Sequence, residues 1–79
     1  MRSVEKMKKE IAEFKNFIEN RRTGIRCNQE FMKLYPCVPT EGIYKTIAGY
    51  EDDIRRAESH IEKLQACIDK AEKKNGEGD

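Results

Sequence analysis

At 79 residues the chain lies near the lower limit for a self-sufficient core, which limits it to one small domain. Its 37% hydrophobic and 39% charged residues exclude a thick-cored globule and favour helices closed on a narrow apolar seam. A net charge of +1 removes any global bias toward nucleic acid or an anionic membrane surface.

The charge is unevenly placed. Residues 1–34 carry nine Lys and Arg against five Asp and Glu, net +4, and residues 35–79 carry seven against ten, net −3. The two halves attract each other if the chain folds back on itself. No apolar run approaches a membrane span, and the first apolar residues are separated by charges, so neither a signal peptide nor a membrane segment is expected. The odd set of cysteines, Cys27, Cys37 and Cys67, reads as reduced thiols in a cytoplasmic protein.

Ser3 is a suitable N-cap, with Glu5 in the first turn where the helix dipole favours an acid. Val4, Met7, Ile11, Phe14 and Ile18 succeed it at steps of three and four, and Phe17 widens that face. Arg21 interrupts the apolar pattern, and Thr23-Gly24 has the form of a helix stop with a left-handed glycine. The first helix is therefore expected over residues 4–22.

Residues 24–39 form a connector too apolar for a loose linker, with Ile25, Phe31, Met32, Leu34, Tyr35 and Val38 all in need of cover. Asn28 can cap a short third helix that Pro36 ends, at Leu34 or Tyr35. Pro36 and Pro39 make the next segment extended, and Thr40 caps a long second helix.

From Thr40 to Lys74, Ile43, Ile47, Tyr50, Ile54, Ala57, Ile61, Leu64, Ile68 and Ala71 recur at alternating steps of four and three. Isoleucine takes every a position from Ile47 to Ile68. This predicts a long helix over 40–74, about 50 Å at 1.5 Å per residue, stopped by Asn75-Gly76 and succeeded by a frayed tail over 75–79. Gly42 and Gly49 share a face near its start, where the short connector helix is expected to pack, with Phe31 and Leu34 near Ile43 and Ile47.

The fold expected is all-α: an antiparallel, coiled-coil-like helical hairpin with a short third helix in the connector. In the predicted register Val4 meets Ala71, Met7 meets Ile68, Ile11 meets Leu64, Phe14 meets Ile61, Ile18 meets Ala57 and Arg21 meets Ile54. Arg21 then reaches Tyr50 or the acids at 51–53. A seam of this length also suits a homodimer, the rival arrangement being two long helices paired in parallel.

No catalytic or cofactor signature is present, and an enzyme is not expected. Cys27, Cys37, His60 and Cys67 have zinc-binding chemistry, but no two of them stand two to four residues apart, and His60 and Cys67 are two turns apart on one helix. Semi-buried thiols and a surface histidine are the better reading. The single histidine lacks the setting of a Cys-His nucleophile. Glu51, Asp52 and Asp53 are consecutive and fan around a helix as a solvated face. Gly42 and Gly49 are isolated and form no phosphate loop.

The basic residues Arg21, Arg22, Arg26 and Lys33, interleaved with Phe31 and Tyr35, give a minority reading as a nucleic-acid-associated regulator that uses the basic half. The proline-containing turn is too long for the common helix-turn-helix. The favoured expectation is a non-enzymatic protein-interaction module, a regulator, adaptor or inhibitor of a larger assembly. Its contact residues are read as Phe31, Met32, Tyr35, Tyr44, Arg22 and Arg26, the aromatic and arginine composition of a binding hot spot. No cofactor or metal is assigned.

Overall fold

The computed structural model describes the backbone of residues 3–77 and the side chains of residues 3–73. Two helices, α1 (Val4–Leu34) and α2 (Glu41–Glu77), pack against each other as an antiparallel hairpin of 65 × 16 × 14 Å. No strand occurs among the described residues.

Ser3 opens α1 as expected. Its extended backbone leaves the helix, and its hydroxyl accepts a hydrogen bond from the Lys6 N–H at 3.2 Å. Pro36 closes α1 by keeping Tyr35 out of helical geometry, at φ −128° and ψ 69°. The Tyr35 N–H still reaches Phe31 O at 2.9 Å, and a Val38 N–H to Tyr35 O bond tightens the turn. The connector is only residues 35–40, and α2 begins at Glu41, directly after Thr40.

The short third helix is not present: residues 24–34 are the last three turns of α1. Gly24 has no positive φ, so it does not act as a left-handed stop. Its role is close packing, because a Cβ placed there would lie 2.8 Å from Tyr50 Cε2. Asn28 caps nothing; its Nδ2 donates to Gly24 O at 2.8 Å, one turn back in the same helix. Ile18, Ile25 and Met32, seven apart, carry the seam across the expected break. At the other end α2 runs to Glu77, through the expected stop at Asn75-Gly76, since no described glycine takes positive φ. Gly78 and Asp79, the end of the expected frayed tail, lie outside the described residues.

Two apolar clusters hold the helices together. Toward the termini, Met7, Ile11 and Ile68 are buried with Val4, Ile61 and Leu64 against them. In the middle, Ile18, Ile54 and Ala57 are buried with Phe14, Phe17, Ile25 and Ile61 around them. These are the layers of the expected register: Met7 with Ile68, and Ile18 with Ala57, whose small side chain leaves room for the two phenylalanines. Among the described residues, Lys8–Glu72 at 3.9 Å, Arg21–Asp53 at 3.3 Å and Arg22–Glu58 at 3.9 Å pair across the two helices. Each sets a base of α1 against an acid of α2, as the charge asymmetry implies. Toward the connector the core thins, and Ile47 is the last buried side chain before it.

Candidate functional site: the closed end of the hairpin

Helix α1 delivers Phe31, Met32 and Leu34 to the connector end, the turn adds Tyr35 and Val38, and the first turn of α2 adds Tyr44. Among the described residues the exposed large hydrophobic side chains are all here: Leu34 (72% exposed), Tyr44 (59%), Tyr35 (55%), Phe31 (42%) and Val38 (38%). Phe31 and Tyr35, four apart, stand with ring centroids 5.0 Å apart at 44°. Met32 is half-buried. The reason for the exposure is geometric. Two helices of about 10 Å diameter cover each other along one seam, and the six-residue connector has no third layer to lay over the end.

The structure thus groups four of the six expected contact residues, Phe31, Met32, Tyr35 and Tyr44, and separates the other two. Arg22 lies nine residues before Phe31, about 13 Å along the helix axis. It pairs with Glu58 at 3.9 Å, while Arg26 pairs with Glu19 at 3.5 Å. Leu34 and Val38 belong to the exposed patch and were missing from the expected set, although both stand in the apolar connector segment that needed cover, Val38 between the two prolines. The expected packing of Phe31 and Leu34 onto the Gly42–Gly49 face is also corrected: both are exposed, and nothing lies within 4 Å of a Cβ at either glycine.

Along the hairpin one face carries an aromatic row. Phe14 stacks on His60, with centroids 5.3 Å apart and planes at 4°. The Arg21 guanidinium sits 4.6 Å from the Phe17 centroid and 5.3 Å from that of Tyr50. Arg21 Nε is out of solvent and 3.3 Å from Asp53 Oδ2, an ion pair without the alignment of a hydrogen bond. Arg21 therefore reaches both of its expected neighbours, Tyr50 and the acidic stretch. Of that stretch, Asp52 is also engaged, pairing with Arg55 at 3.4 Å and Arg56 at 3.0 Å. Glu10, Glu13, Phe14, Phe17, His60 and Leu64 line a shallow open groove on this face.

Cys27, Cys37 and Cys67 are free and exposed. Among the described residues no group of three or more His, Cys, Asp or Glu side chains is placed to hold a metal ion. No described helix is long and apolar enough to cross a membrane. In comparisons with protein-family models, curated proteins and solved structures, nothing matches the chain.

Proposed function

We propose that the chain is a non-enzymatic protein-interaction module, a regulator, adaptor or inhibitor that meets a protein partner through the closed end of its hairpin. One observation carries this reading: the exposed large apolar side chains of the described chain are gathered at that end instead of being scattered. Tyrosine and phenylalanine dominate the patch, and such side chains provide large contact areas at low conformational cost. The α1 arginines that favoured nucleic acid are each engaged with an acid of the same chain, so the protein partner takes precedence.

Site-specific photocrosslinking in the native cell tests the reading. A benzophenone side chain is placed at Leu34, at Tyr44, and as a control at Lys63, an exposed position far from the connector. One and the same protein crosslinked from Leu34 and Tyr44 but not from Lys63 is the expected result. Identical products from all three positions, or none from the closed end, would overturn it.

A further inference from the structure

Two stripes share the face that bears the aromatic row. On α1, Phe14, Phe17, Arg21, Gly24, Asn28, Phe31 and Tyr35 step by three and four. On α2, Gly42, Thr46, Gly49, Asp53 and His60 step by four, three, four and seven. The stripes meet at Phe14–His60 and Arg21–Asp53, which fixes them to one side of the hairpin. The first stripe is bulky at both ends. The second is small toward the connector, and a Cβ at Gly42 or Gly49 meets nothing within 4 Å.

From this face we infer that two copies of the chain associate side by side as a four-helix bundle, with the two-fold axis parallel to the helices and both closed ends together. A two-fold in that direction sets α1 of one copy against α2 of the other, antiparallel and at the same level. The contacts Phe14–His60, Arg21–Asp53 and Gly24–Tyr50 run in step, and continuing them places Phe31 level with Ile43. A helical side chain leans toward the preceding turn. The Phe31 ring of each copy therefore falls over the small Gly42–Thr46–Gly49 stripe of the other, where a Cβ at either glycine would meet nothing within 4 Å and the Thr46 hydroxyl is turned back onto Gly42 O of its own helix.

Area and charge both suit a second copy as the occupant. A compact monomer of 9.2 kDa exposes about 4,900 Å², whereas this chain exposes 6500 Å². The excess of about 1,600 Å² per chain is the surface of a 65 Å rod, and it leaves room for the roughly 800 Å² per partner that a standard specific interface buries. The charge halves also fit. In this arrangement each basic α1, from the +4 half, lies between two acidic α2 helices from the −3 halves, whereas pairing α1 with α1 would set like charges together. The inference deepens the proposed reading at the closed end: Phe31 is taken up between copies, and Leu34, Val38 and Tyr44 of both copies form one larger apolar end.

Sedimentation equilibrium of the pure chain in reducing buffer tests the association, and Gly42→Leu/Gly49→Leu tests the face. Leucine improves helix propensity over glycine and finds open space in the single hairpin, so circular dichroism should keep its helical signal. Filling the cleft should raise the dimer Kd at least about 100-fold. Should that variant lose helicity, Phe31→Ser decides by the same criterion. Orientation is read by labelling Cys37, an exposed thiol in the connector, with pyrene in a Cys27→Ser/Cys67→Ser background. Excimer emission is expected with the closed ends together and absent with them at opposite ends of a 65 Å rod. A monomer at all concentrations, an undiminished dimer in the leucine or serine variant, or a dimer without excimer emission would each overturn the inference. A different protein occupying this face would also leave the pure chain monomeric. The photocrosslinking result stands apart, because a hetero-partner can be captured at Leu34 and Tyr44 whatever the chain mass proves to be.

Discussion

Replacing Gly24 with alanine separates two effects of opposite sign. In a helix interior, Gly to Ala gains about 1 kcal/mol from backbone propensity. Here the added methyl would stand 2.8 Å from Tyr50 Cε2 and 3.3 Å from Cδ2, inside van der Waals contact. Either the helices separate locally or the Tyr50 ring swings out and loses its place beneath the Arg21 guanidinium, 5.3 Å away. Overpacking of this kind costs about 1–3 kcal/mol. Gly24→Ala should therefore be neutral to destabilising by about 2 kcal/mol in the natural background. In a Tyr50→Leu background the obstacle is gone, and the same substitution should stabilise by up to about 1 kcal/mol. Urea titrations of the four proteins, followed by circular dichroism at one fixed concentration, complete the double-mutant cycle. If Gly24→Ala stabilises equally with and without Tyr50, close packing is not the reason for the glycine, and the account of α1 continuity fails.

Three other substitutions probe the rest of the frame. Ile68, fully buried in the cluster nearer the termini, should cost about 2–5 kcal/mol on truncation to alanine, enough to unfold much of so small a domain at room temperature; near-native urea stability would refute that core. Ser3→Ala removes the acceptor of the Lys6 N–H and should cost about 1 kcal/mol, visible as fraying of the first turns in amide hydrogen exchange. Arg21→Met keeps the volume over Phe17 and Tyr50 while removing a nitrogen shut off from solvent without a well-aligned acceptor; stability equal to or above the natural chain is expected, and a loss beyond about 1 kcal/mol would show the Asp53 pair to be a net support.

The long helix was legible because its signal is repetitive. Nine apolar residues from Ile43 to Ala71 agree on one face, so a single exception does not disturb the reading. The register was legible for a related reason: Ala57 is the one small side chain opposite two phenylalanines, and Arg21 needs an acid within reach. The expectation failed at the end of α1, where two consecutive local signals, a charge in the seam at Arg21 and a glycine at position 24, agreed on a helix stop. Both have one cause, Tyr50, which lies 29 residues beyond Arg21 and 26 beyond Gly24. The Tyr50 ring holds the guanidinium of Arg21 5.3 Å from its centroid and requires the bare backbone of Gly24 at its Cε2 edge. Local propensity cannot contain that information, since a glycine that ends a helix and a glycine that admits a ring look alike until the partner is in place.

That mistake also displaced the expected site. With α1 ended at residue 22, the remaining apolar residues had to be assigned to a folded connector, and a folded connector would have covered the Gly42–Gly49 face. With α1 carried to Leu34, the same residues are held at the end of the hairpin, and no described residue covers the open space at the glycines. Gly42 and Gly49 each weaken α2 by about 1 kcal/mol relative to alanine, with no close approach inside the hairpin that needs them. The exposed aromatics lie at the same level as this unexplained pair of glycines. A mutual fit between two copies accounts for both features at once, because it supplies the close approach that the single hairpin lacks.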